Sequence, residues 1–150
     1  MISRISKNIP SSIGLLGLAG LIPFWGLTLF IVFTEDSLGH FALKLQVSYA
    51  AIILSFLGGI HWGIAVQIKE NATWLRMGWG VILALIGWGA IFIPYIYSIA
   101  LLGLALSSAL VMDLKLVNNL TEASWYRTLR LILSFGAISA LLLTFLDLSF

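Results

Sequence analysis

The chain has 150 residues, of which 61% are hydrophobic and 9% charged, with a mean hydropathy of +1.08. A soluble domain carries roughly one charged residue in four, so this composition excludes one and indicates an integral membrane protein with no room for a separate soluble domain. The net charge of +2 offers nothing to nucleic acid, and the absence of cysteine excludes disulfides, thiolate metal sites and cysteine nucleophiles.

Arg4 and Lys7 precede the first apolar run, residues 13–33. That run exceeds a signal-peptide core of about 7 to 15 residues, and no small-residue cleavage site follows it. It reads as an uncleaved helix 1. The basic head is too short and too poor in arginine for an organelle transit peptide, which favours a bacterial inner membrane over a mitochondrial one. Pro10, Ser11 and Ser12 can cap the helix, and Gly14, Gly17 and Gly20 give it a smooth packing strip. Pro23 removes a backbone donor in mid-span, which predicts a bend and a carbonyl at Ala19 in need of another partner. The loop 34–44 holds Glu35, Asp36, His40 and Lys44, whose spacing matches no metal-ligand pattern and is read as solvated polarity, with no metal predicted.

Helix 2, residues 45–68, is long enough to cross a hydrocarbon core of about 30 Å. Ser55, Gly59 and Gly63 line up on one notched face, and Gly58, His61 and Ala65 on another roughly opposite. Two such faces place this helix in the middle of a bundle. After a polar loop with Lys69, Glu70, Asn71 and Arg76 comes the run 77–112, which as one rod would extend about 54 Å. It must fold back, and Pro94 between Ile93 and Tyr95 is the natural break. Helix 3 is then 77–93 and helix 4 is 95–112. The seams Gly80, Ala84, Gly87 and Ala100, Gly103, Ser107 predict a tight antiparallel hairpin, while Trp79 and Trp88 point to opposite sides. Helix 5, residues 125–148, opens with the interfacial residues Trp125, Tyr126 and Arg127 and later offers Gly136 and Ala140 for packing.

The expectation is an all-α membrane protein, one domain built as a bundle of five transmembrane helices. Its sides can be assigned from charge. Arg4, Lys7, Lys69, Arg76, Lys115, Arg127 and Arg130 fall on one face and only Lys44 on the other, so the N-terminus is expected to be cytoplasmic and the C-terminus external.

That topology brings His61, Asp113, Arg127 and Arg130 to the inner half of the bundle, with Trp62, Trp125 and Tyr126 around them. Ionisable groups in a membrane need partners, so this cluster is the candidate site. A purely structural reading competes with it: a histidine bonded to a neighbouring carbonyl and arginines reaching headgroups account for the same residues. As a site, it suits a quinone carbonyl, a lipid phosphate or a proton. Catalytic templates are missing, since no glycine-rich phosphate loop, no His-Glu-x-x-His and no Gly-x-Ser-x-Gly occurs, and Ser55 lies on a different helix face from His61. No catalytic residue and no cofactor is predicted.

Three stretches carry a resemblance: Gly17-Leu18-Ala19-Gly20-Leu21-Ile22-Pro23-Phe24, the run from Tyr49 through Leu54-Ser55-Phe56-Leu57-Gly58-Gly59-Ile60-His61-Trp62-Gly63, and Trp125-Tyr126-Arg127 with Leu129-Arg130. On these the chain resembles a family of bacterial membrane proteins of unknown function whose eukaryotic members are called the transmembrane protein 69 family. The resemblance implies a small multispanning inner-membrane protein and supplies no activity. The surplus of glycine faces leads to the expectation of a non-enzymatic accessory or assembly subunit of an inner-membrane complex, in contact with lipid and other membrane proteins. The alternative is a protein that binds a small hydrophobic molecule, a quinone or a phospholipid, near His61. A transporter fits less well, because no charge falls at mid-membrane and no repeat is detectable.

Overall fold

The computed structural model describes residues 9–34, 37–67, 73–117 and 124–149, which form six α-helices: α1 (Ser11–Ala19), α2 (Ile22–Val32), α3 (Ser37–Gln67), α4 (Trp74–Ala90), α5 (Tyr95–Val117) and α6 (Ser124–Ser149). Four segments, Ser11–Val32, Ser37–Val66, Tyr95–Lys115 and Trp125–Ser149, are long and apolar enough to cross a membrane; α4 is a shorter apolar helix. At 17 residues it extends about 26 Å, close to the thickness of the hydrocarbon core. The molecule is an all-α membrane bundle of five rods, the first of them broken. Many large apolar side chains, among them Leu16, Phe56, Trp88 and Phe135, face outward, as a lipid environment requires.

The break in the first rod falls slightly before Pro23. Gly20 N–H reaches back to both Leu16 and Gly17, and Leu21 N–H bonds Leu18, so the chain tightens into a turn at Gly20 and Leu21. Pro23 then sits in the first turn of α2, where a missing N–H costs nothing. The carbonyl that gains an outside partner is that of Gly20, one residue beyond the expected Ala19, and the donor is the Tyr49 hydroxyl at 2.8 Å. Of the glycine strip, Gly17 meets α6, with Leu133 and Leu129 over it, while Gly14 faces only Ile9.

The expected loop at 34–44 is largely helix. Ala42, Leu43, Gln46, Val47, Ala50 and Leu54 make one continuous buried stripe at three- and four-residue spacing, which extends α3 two turns earlier than hydropathy alone indicates. His40 and Lys44 are exposed on those turns; Glu35 and Asp36 lie outside the described residues.

The placement of α3 differs from expectation in one respect. Gly58, His61 and Ala65 are buried, but Gly59 and Gly63 are exposed with nothing near them, and Ser55 is half-buried and bonds the Ala51 carbonyl at 3.0 Å. The helix therefore lies along one side of the bundle, with one notched face used and the other open. The used face meets α4. A methyl group on Gly58 would collide with the Gly80 carbonyl, and one on Gly87 would lie 2.9 Å from the Ala51 carbonyl, so the two backbones touch.

The hairpin at Pro94 forms as expected, with Ser98 Oγ donating to the Ala90 carbonyl at 2.7 Å across the turn. It is not closed by its two small-residue seams, however. Helix α4 packs chiefly on α3, and Ala100, Gly103 and Ser107 open onto a groove that Ile138 and Phe145 of α6 also line. Glycine backbones approach each other more closely than the alanine and serine of α5 allow, which is why α3 takes the glycine seam of α4.

Candidate functional site

Asp113, near the end of α5, receives side chains from two other helices. Arg130 Nε of α6 donates to Asp113 Oδ2 at 2.6 Å, and His61 Nε2 of α3 lies 3.1 Å from Oδ1. The side chains are almost wholly enclosed: His61 is 2% exposed, Asp113 4% and Arg130 6%. A buried carboxylate is costly unless paired, and the arginine is the partner that makes this one tolerable. The histidine contact is close but poorly aligned for a hydrogen bond, and neither imidazole nitrogen has an aligned partner.

Local sequence positions each group. On α5 the buried positions Leu102, Leu106, Ala109 and Asp113 follow helical spacing, and on α3 Leu54, Leu57, His61 and Ala65 do the same. On α6, Arg130 shares a buried stripe with Ser134, Ala137 and Leu141. The remaining expected residues are placed as follows. Arg127, three residues before Arg130, is exposed and does not join the pair, since only one of the two arginines can occupy the inward stripe. Trp62 is also exposed, and its indole N–H donates to the Met77 carbonyl at 3.1 Å, clamping α3 to α4. Trp125 and Tyr126 are half-buried and stack edge to face, with Tyr126 inside the electrostatic reach of Asp113 and Arg130.

Arg76 was not anticipated. It is 6% exposed and heads the buried stripe Arg76, Gly80, Leu83, Gly87, Ala90 of α4, with Nη1 lacking any hydrogen-bond partner. Thr73 caps the helix by accepting from Arg76 N–H at 3.3 Å, which makes Arg76 part of the helix rather than of the preceding loop. The threonine at the cap position and the four-residue step to Gly80 were the available signals.

A second buried polar cluster lies toward the opposite end of the bundle. Gln46 Nε2 donates to Thr28 Oγ1 at 2.7 Å, Thr28 lies 3.2 Å from Thr144 Oγ1, and both threonines bond the Ala140 carbonyl. Gln46, the single amide near the start of helix 2, was its sequence signal. On the outer face of α3 and α4 a groove of about 280 Å³ is lined by Ser55, Gly59, Trp62, Val81, Ala84 and Leu85. It is apolar and distinct from the His61–Asp113–Arg130 cluster. Among the described residues no group of three or more histidine and carboxylate side chains could hold a metal.

Residues 9–146 match the model of a protein family described as a protein of unknown function (DUF3429). Transmembrane protein 69 of Xenopus tropicalis is 38% identical over 139 residues, covering 90% of this chain and 54% of the relative. Transmembrane protein 69 of Mus musculus is 27% identical over 129 residues, covering 85% of this chain and 52% of the relative. The chain thus spans about half the length of the curated relatives it matches. No solved structure matches.

Proposed function

The chain belongs to this membrane-protein family of unknown function (DUF3429), and on that premise we propose that it is a non-enzymatic accessory or assembly subunit of a bacterial inner-membrane complex, with its N-terminus on the cytoplasmic side. One observation carries the reading: Ser55, Gly59 and Gly63 form a small-residue face with open space above Gly59 and Gly63, beside the groove between α3 and α4. Such a face lets another helix approach to backbone distance, the main source of helix affinity in lipid. The chain itself spends its other glycine face on α4, so this one is left for a partner.

Purification in mild detergent tests the reading. The wild-type chain is expected to run as a particle containing a stoichiometric second membrane protein. Gly59→Leu, which has room to fold, is expected to run without it. A particle of the chain and lipid alone at every detergent level would count against the proposal.

A second reading, a ligand site around His61, is favoured by a different observation: the imidazole is buried with both nitrogens lacking an aligned partner. His61→Ala leaves Asp113 paired with Arg130, so it is expected to fold and to lose the ligand. A fall in thermal stability with no change in ligand content would make His61 structural.

A further inference from the structure

Resting on the second of these readings, we propose that the layer around Asp113 is an oxyanion site, completed by Arg76, which takes a phosphate group. Charge among the described buried groups is unbalanced. Among the described residues the buried ionic side chains are Arg76, Arg130 and Asp113, two guanidiniums against one carboxylate. A guanidinium does not lose its proton, so the surplus positive charge stays and must be matched by something.

Several buried polar atoms are also left without partners. Arg76 Nη1, Arg130 Nη2, Trp79 Nε1 and His61 Nδ1 are buried without a hydrogen-bond partner, and His61 Nε2 has only the poorly aligned Asp113 Oδ1 at 3.1 Å. The first three are donors only, and an imidazole can donate. What the layer lacks is acceptors bearing negative charge. Apart from the imidazole, the one orphaned acceptor among the described buried side chains, Gln46 Oε1, sits about 22 Å away along α3, in the amide and hydroxyl cluster. A phosphate offers several acceptor oxygens in the geometry that a guanidinium fork matches. A neutral carbonyl satisfies one donor and leaves the charge.

Register brings these groups to one level. The contacts Gly58 to Gly80 and Ala51 to Gly87 set Arg76 across from Trp62, next to His61. The Ala90 to Ser98 contact, carried down both helices at equal rise, sets Arg76 across from Met112, next to Asp113. The layer also lies within two turns of the ends of α3, α5 and α6 and about half a turn inside the start of α4, nearer the depth of headgroup phosphates than of the bilayer centre.

The phosphate can belong to a phospholipid or be free, and the test separates the two. Delipidated wild-type chain in phosphate-free detergent is titrated with inorganic phosphate, and in parallel with mixed micelles of phosphatidylglycerol or, as the phosphate-free control, diacylglycerol. Thermal unfolding and native mass spectrometry read the response. A rise in melting temperature with phosphatidylglycerol but not diacylglycerol or inorganic phosphate identifies a headgroup; a rise with inorganic phosphate identifies a free ion.

Arg76→Gln is expected to weaken the response about tenfold to a hundredfold, the loss of one charge-assisted contact, with Arg76→Lys intermediate. Without probe, Arg76→Gln is expected to melt no lower than wild type, because it removes an unmatched buried charge; a merely structural arginine would lower it. The absence of any wild-type response to either phosphate probe overturns the proposal, whatever the variants do. Loss of stability on Glu70→Gln or Glu122→Gln, with no response to phosphate, assigns the matching charge to the chain and overturns it too. A response to a short-chain quinone that His61→Ala abolishes, with none to phosphate, overturns this proposal and leaves the second reading standing; no response to any probe ends both.

Discussion

Replacing Asp113 with Asn removes the one buried carboxylate among the described residues while keeping its shape. Arg130 then loses its 2.6 Å partner and remains 6% exposed. Breaking a buried ion pair from one side costs about 3–5 kcal/mol in soluble proteins. Arg130 is only six residues from the start of α6, however, and a long side chain so close to a helix end can swing toward headgroups and recover part of the loss. We therefore expect about 2–3 kcal/mol, roughly a 30- to 140-fold shift in the unfolding equilibrium. Unfolding by SDS in mixed micelles, followed through the six tryptophans in phosphate-free buffer, reads this directly. The double variant Asp113→Asn with Arg130→Met is expected to recover at least half of the loss, because the orphaned charge is gone. Asp113→Asn within about 0.5 kcal/mol of wild type, or a double variant whose cost is the sum of the singles, would refute the claim that the pair is buried and coupled.

Further outcomes follow from the packing. Gly58→Ala forces α3 away from the Gly80 carbonyl and is expected to cost about 1–3 kcal/mol, whereas Gly59→Ala, one residue on but in open space, should stay within about 0.5 kcal/mol in the same SDS titration. Thr28→Val leaves the Gln46 amide without its acceptor and is expected to cost about 1–2 kcal/mol; adding Gln46→Leu should return most of it, as replacing a whole polar group pair does. Since the chain has no cysteine, single cysteines report sidedness: Lys115→Cys is expected to react with a membrane-impermeant thiol reagent only in inverted vesicles, and His40→Cys only in right-side-out ones. The reverse pattern would invert the assignment of sides.

Much of this architecture could be read in the chain, because in lipid the backbone must satisfy itself and long apolar runs have few alternatives to helix. Pro94 marked its turn, and the Gly58, His61, Ala65 face was correctly separated from the Ser55, Gly59, Gly63 face. Hydropathy fails where helix leaves the apolar core, so the first turns of α3, with His40 and Lys44, read as a loop although Ala42, Leu43 and Gln46 keep helical spacing. The meeting of His61, Asp113 and Arg130 was legible from depth along each helix, since residues at one membrane level on packed helices must be neighbours or face lipid. Which arginine turns inward was not. Arg127 and Arg130 differ by three residues, about 60° of rotation, and only the packing of Leu129, Ser134 and Ala137 decides between them. Arg76 escaped for a related reason: as a charge beside a loop it was assigned to solvent, when its step to Gly80 puts it on the helix's buried stripe.

One buried layer joins His61 of α3, Asp113 of α5 and Arg130 of α6, and helix register sets Arg76 of α4 at the same level. A side-chain-resolution map of the chain in a lipid disc tests this most directly. It is expected to place the Asp113 carboxylate between Arg130 Nε and His61 Nε2, near the 2.6 and 3.1 Å found here, with Arg76 turned inward beside them. A map in which Arg130 reaches outward to the headgroups, or Asp113 faces lipid, would contradict it.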